Sequence, residues 1–239
     1  MKSGVLYGRF FTAWPRVKEI LLEAVYPERA VCRVCGKISD GGVLCKECEE
    51  HLRFDGSSMA WDREALDEEQ GLYAYVLRPH TGVARQAVIR LKHRAEKCLA
   101  EELGNLLEPV PSHVCFPPET VVTWVPMPKS RRRERCIDHG QVLAEAAAER
   151  LGLSCRPLLE RLETRDKPQA GLKKEAREQN LARAFRPAEG RISFPVLLVD
   201  DVLTTGTTAR RCAEALRAAG AREITVLAFT RATGGGPRE

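Results

Sequence analysis

The sequence predicts an α/β protein: a parallel sheet, preceded by a small metal-knuckle segment. Three observations predict it. Near-continuous apolar runs of strand length alternate with segments of helical periodicity from about residue 70 onward. Two Cys-x-x-Cys pairs stand close together near the N-terminus. One apolar run ends in two carboxylates, a Thr/Gly loop and an amphipathic segment.

The 239 residues carry 38 Lys+Arg against 33 Asp+Glu, a formal net charge of +5, with 44% hydrophobic and 30% charged residues. That balance excludes intrinsic disorder and fibrous repeats, and the length suits one large domain with a small appendage. No apolar stretch approaches the roughly 18 residues of a membrane helix, so no membrane insertion is expected. Lys18, Glu19 and Glu23 interrupt the first apolar cluster and no small-residue cleavage site follows, which argues against a secretory signal and for a cytoplasmic protein.

In chain order, Val17, Ile20, Leu21, Ala24 and Val25 give residues 15–26 helical spacing, with Pro15 suited to the first turn and Pro27 to the stop. Cys32-x-x-Cys35 and Cys45-x-x-Cys48 follow. Nine cysteines, an odd total without a secretion signal, fit reduced thiols and a metal site better than disulfides. The two pairs can converge on one Zn²⁺ with no open position, which makes the site structural. Residues 1–56 therefore form an N-terminal helix and knuckle. Residues 47–69 hold nine acidic against two basic residues, and 57–69 read as an acidic linker.

Residues 70–232 read as the α/β domain, with 233–239 a flexible Gly-rich tail. Its strands are expected at 72–77, 120–125, 195–199 and 223–229, and its helices at 82–94, 96–107, 138–151 (closed by Gly152) and 207–219. Residues 161–180 read as a charged loop turning helical after Leu172.

The sharpest chemical signal is Val196-Leu-Leu-Val-Asp200-Asp201-Val-Leu-Thr204-Thr205-Gly206-Thr207-Thr208. A turn that feeds a helix N-terminus presents free N–H groups and the positive end of the dipole to an anion. Gly206 lets the backbone approach closely, and the Thr hydroxyls can donate to phosphate oxygens. Two carboxylates beside that site would repel a bare phosphate, so the ligand should also offer hydroxyls: a sugar phosphate. No Gly-Lys-Ser/Thr is present, so this is not a Walker loop. Elsewhere, Lys129, Arg131, Arg132, Arg133 and Arg135 form a basic run, and residues 161–186 hold eight basic against four acidic residues. These stretches suit a pyrophosphate pocket, a nucleic-acid groove or a solvated face.

The thirteen residues Val196–Thr208 resemble the phosphoribosyl pyrophosphate (PRPP) signature of type I phosphoribosyltransferases. That resemblance implies that Thr204, Thr205, Gly206, Thr207 and Thr208 hold the ribose 5-phosphate, and that Asp200 and Asp201 meet the ribose hydroxyls, partly through Mg²⁺. Thr204 stands where purine-salvage members often carry Asp, which argues against a hypoxanthine-guanine enzyme.

Over residues 20–230, the order Cys-pair knuckle, "LKHR", "VPMPKSRRRERCIDHGQVLAEAAAERLGL", "RLETRDKPQAGLKKEAREQNLARAF" and "VLLVDDVLTTGTT" is similar to the ComF family of competence-associated proteins. This implies a phosphoribosyltransferase-type domain with Pro126, Met127 and Pro128 in the pyrophosphate loop and Lys92 in the family's Leu-Lys motif. Thr164, Gln169, Arg177 and Asn180 would lie on a mobile active-site loop. Lys129 and Arg135 would stabilise a leaving pyrophosphate while phosphoribosyl passes to an acceptor. The implied process is DNA uptake in natural transformation, and the alternative is a non-catalytic protein that binds single-stranded DNA. The chain departs from the family at Arg135-Cys136-Ile137-Asp138-His139, where Arg-Gly-Phe/Tyr-Asn-Gln/His is usual. Losing that Gly restricts the backbone, and Asp138 adds a charge.

Overall fold

The computed structural model describes residues 31–53, 62–94, 97–105, 115–128, 138–162, 184–188 and 190–232. The helix expected over 15–26, the basic run 129–135, the loop residues Thr164, Gln169, Arg177 and Asn180, and the tail lie outside them. In chain order the elements are α1 (Lys46–Leu52), β1 (Asp62–Asp67), β2 (Leu72–Pro79), α2 (Gly82–Arg94), α3 (Lys97–Asn105), β3 (Val121–Trp124), α4 (His139–Leu151), β4 (Ser154–Cys155), β5 (Leu159–Arg161), β6 (Phe185–Pro187), β7 (Val196–Leu203), α5 (Thr207–Ala218) and β8 (Ile224–Arg231).

Six strands form one sheet in the order β1-β2-β8-β7-β3-β4, with β5 and β6 as a separate antiparallel ribbon. All neighbours in the large sheet are parallel except β1 and β2. The expected α/β class with a mainly parallel sheet is present. Side chains alternate across β7: Leu197 and Val199 belong to one core with α2, α3 and α4, while Val196 and Leu198 belong to a second core with α5 and the β5–β6 ribbon. Helices therefore cover both faces, which is why β7 and β8 read as almost unbroken apolar runs. No helix among the described residues is long and apolar enough to cross a membrane.

Two departures from the sequence reading stand out. Residues 62–67, expected within a linker, form the edge strand β1. Its pattern is hard to recognise because its apolar content is Ala65 and Leu66. What holds it are the cross-strand contacts. The Arg63 guanidinium lies 3.5 Å over the Tyr73 ring, and Glu64 takes two bonds from Arg231, at 2.7 and 2.8 Å. The second departure is the knuckle, whose Val34, Leu44 and Leu52 join the same apolar core as Ala87, Val88 and Leu91 of α2.

Helices α3 and α4 meet at Gly104. A Cβ there would lie 2.9 Å from Ala146 Cβ and 3.1 Å from its carbonyl oxygen. None of these atoms can rotate away, so Gly104→Ala is expected to lower stability by about 1–3 kcal/mol. Urea unfolding at constant m-value would measure it; no shift in midpoint would mean the helices separate freely.

Candidate functional site

β7 carries the acidic pair further into the sheet than the sequence suggested. It continues past Val199 because Asp200, Val202 and Leu203 pair with Ala228, Thr230 and Arg231 of β8. Alternation along the strand then sends the two carboxylates to opposite faces. Asp201 shares a face with Val199, towards α2 and α4; Asp200 shares the α5 face with Leu198.

Asp201 is buried and sits between the side chains of Lys92 and His139. Lys92 Nζ of α2 lies 3.0 Å from Oδ1, and His139 Nε2 at the start of α4 lies 2.9 Å from Oδ2. Burial by itself would raise the Asp201 pKa, but His139 and Lys92 outweigh it and hold the carboxyl below its ordinary range. Asp200 goes the other way, pushed up to about 7 by burial and by the neighbouring Asp201 charge, with Lys92 and backbone N–H groups opposing. Its Oδ1 accepts from Asp201 N at 2.9 Å. Behind the pair, Thr230 Oγ1 donates to Asp201 O at 3.1 Å and lies 2.9 Å from His80 Nδ1. With its proton already committed, the Thr230 hydroxyl accepts, so His80 Nδ1 is the donor. Burial, then Lys92 and Arg85, lower the His80 pKa and keep the ring neutral.

The loop after β7 turns at Gly206, whose φ of 71° is the left-handed conformation glycine adopts readily. Thr204 and Thr205 are exposed, and Thr207 and Thr208 are half-buried. Thr205 Oγ1 lies 2.8 Å from Thr207 Oγ1. At the start of α5, Thr207 N donates to Thr205 Oγ1 at 3.4 Å and Arg210 N makes the first intrahelical bond, to Gly206 O at 2.9 Å, so the N–H groups of Thr208 and Ala209 precede any i−4 partner within the helix. Val125-Pro126-Met127-Pro128 leaves β3 beside β7, held by a Val125 N to Val199 O bond of 3.2 Å. The fold thus gathers Asp200, Asp201, Lys92, Thr204–Thr208 and Pro126–Pro128 at the C-terminal edge of the sheet, where open α/β sheets place ligands.

Sequence reasoning missed His139, His80 and Thr230 because each acts across the sheet. Asp138, a departure from the family pattern, turns out to be the N-cap of α4: its carboxylate accepts from Gly140 N at 3.1 Å and Gln141 N at 3.4 Å. Asp is among the preferred N-cap residues, so Asp138 fixes the helix start that positions His139.

In the knuckle, the sulfurs of Cys32, Cys35, Cys45 and Cys48 lie within 4.8 Å of one another, with Cys35 and Cys45 at 3.7 Å. Four sulfurs 2.3 Å from a tetrahedral Zn²⁺ stand about 3.8 Å apart, so the cluster fits that ion. Burial opposes ionisation of Cys32, but backbone hydrogen bonds from Cys35, Cys45 and Val34 lower its pKa to about 6, providing the thiolate a metal needs.

No family model matches the chain. Over 217 residues, 86% of this chain and 92% of the relative, it is 35% identical to Competence protein F of Haemophilus influenzae. The chain belongs to the competence protein F family. Among solved structures, this member of the competence protein F family is similar to the allosteric regulatory enzyme of purine biosynthesis: 27% identity, 57% of this chain, 25% of that chain, TM-score 0.39. Similarity also extends to the glutamine PRPP amidotransferase of B. subtilis: 24% identity, 57% of this chain, 26% of that chain, TM-score 0.36. The chain spans about a quarter of the length of both. An adenine phosphoribosyltransferase from Leishmania tarentolae is 13% identical, covering 71% of this chain and 94% of that one, with a TM-score of 0.36.

Proposed function

We propose that this protein binds PRPP with Mg²⁺ through a phosphoribosyltransferase-type site, and transfers the phosphoribosyl group to an acceptor with release of pyrophosphate. The supporting observation is the junction of β7 and α5: a carboxylate on the helix side of the strand, followed by an open Thr/Gly turn at a helix N-terminus. The turn suits a terminal phosphate and Asp200 suits hydroxyls. Asp200 is a hard oxygen donor of the kind Mg²⁺ prefers, and its raised pKa means that a nearby cation would promote its ionisation. Mg²⁺ would neutralise charge building on the pyrophosphate.

The bond from the ribose anomeric carbon to pyrophosphate breaks, its electron pair leaves with pyrophosphate, and the acceptor's lone pair forms the new bond. Lys92, Lys129 and Arg135 are the cations assigned to the departing charge, with Pro126–Pro128 shaping the loop around it. The segment carrying Thr164, Gln169, Arg177 and Asn180 is assigned to closing the site against water. Zn²⁺ on the four cysteines is structural. The name of its relative, Competence protein F, supports a role in DNA uptake and natural transformation.

Calorimetric titration with PRPP, with and without Mg²⁺, tests this. The expected result is Mg²⁺-dependent binding, displaced by pyrophosphate and lost in a Thr205→Ala/Thr208→Ala variant. Absence of PRPP binding, combined with oligonucleotide affinity that falls steeply with salt, would replace the enzyme with a single-stranded DNA binder.

A further inference from the structure

The turn that holds the proposed phosphate contains no cation, yet one lies directly behind it. Arg210, in the first turn of α5, donates its backbone N–H to Gly206 O at 2.9 Å. Its guanidinium reaches further: Nη2 donates to Thr205 O at 2.9 Å and lies 3.5 Å from Thr207 Oγ1, while Nη1 donates to Leu66 O of β1 at 3.1 Å. The Leu66 side chain closes the space beside Gly206, where a Cβ would come within 2.8 Å of its Cδ2.

The Thr205 carbonyl belongs to the same peptide plane as the Gly206 N–H. In a trans peptide these two groups point in opposite directions, and the described residues contain no cis bond. Anchoring Thr205 O on Arg210 therefore turns Gly206 N–H away from Arg210. Glycine tolerates both orientations of the preceding peptide, so the turn does not fix this plane by its own sterics. The charge-assisted bond also polarises the peptide and strengthens its N–H as a donor.

We infer that Arg210, braced by edge strand β1, is a positioning residue that fixes the Thr205–Gly206 peptide so that Gly206 N–H is presented to the phosphate monoester of the bound sugar phosphate. The inference rests on the PRPP reading above. It gives β1 a part in ligand binding without contact to the ligand.

Ribose 5-phosphate is the probe, followed by calorimetry and by the ¹H–¹⁵N signal of Gly206. In the wild type, saturation should move the Gly206 amide proton downfield. Arg210→Ala should weaken ribose 5-phosphate binding about tenfold and abolish that shift, while pyrophosphate affinity and zinc content stay unchanged. Arg210→Lys, which keeps one charged donor, should recover part of both, and it carries the test if the alanine variant fails to fold. Wild-type affinity and an unchanged Gly206 shift in either variant would overturn the inference. A wild type that ignores ribose 5-phosphate but binds oligonucleotide would overturn the PRPP reading, and this inference with it.

Discussion

Stripping the metal from the cysteine cluster, or replacing Cys48 by Ser, is expected to lower the melting temperature of the whole protein by about 10 °C or more in a single transition. The cost has two origins. Cys32 and Cys48 are buried, and loss of the proposed Zn²⁺ would remove the bonds that tie the two Cys pairs together. The knuckle also has no core of its own: Val34, Leu44 and Leu52 pack with Ala87, Val88 and Leu91 of α2. Loosening them loosens α2, in which Lys92, the partner of Asp201, directly follows Leu91. PRPP affinity should therefore fall along with stability. Differential scanning calorimetry before and after chelation, with metal content determined in parallel, measures this. A separate low-temperature transition that leaves the main one in place would show that the knuckle is energetically independent.

Asp200→Asn is expected to do two opposite things: abolish Mg²⁺-dependent PRPP binding and stabilise the ligand-free protein at pH 8. The second follows from linkage. The folded pKa of Asp200 is raised to about 7, against an ordinary 3.8, so between these values the folded state holds more protons than the unfolded state. Stability contributed by the protonated carboxyl is complete below pH 4 and is lost as pH rises through 7. At pH 8 the wild type bears the full cost of a buried anion beside Asp201, and the neutral amide does not. Allowing for the partial exposure of Asp200, the gain should be about 1–2 kcal/mol, or about 3–6 °C, narrowing to nothing near pH 4. Asp201 has the opposite sign, since its lowered pKa makes its contribution disappear on acidification. Thermal melts of both proteins from pH 4 to 8 decide the matter. A variant less stable than wild type at pH 8 would mean that Asp200 is better solvated than its place on β7 implies.

The strand, acidic pair and Thr/Gly turn were legible in the sequence because they are contiguous, and each residue type has a local physical reason to be there. The same holds for the two Cys-x-x-Cys pairs. The Asp201 cage was not legible, because Lys92 and His139 reach it from different helices and nothing in the spacing of 92, 139 and 201 encodes proximity. β1 escaped notice because its stability comes from Arg63, Glu64 and Arg231 more than from apolar alternation. Arg210 carries no signal of its own in the sequence, because its guanidinium contacts, to Thr205 O and to Leu66 O, exist only with β1 in place beside the turn.

The strand order has a consequence for synthesis. β7 and β8 stand at the centre of the sheet, yet they come last in the chain. A nascent chain emerging from the ribosome would carry the β1–β2 hairpin and β3 with their inner edges unpaired until residues 196–231 follow. Such edges are templates for association with other chains, and the pairings that cover them are long-range and slow. The four cysteines proposed to hold Zn²⁺ all lie within residues 32–48 and emerge long before then, so a knuckle that can form early waits on strands that form late.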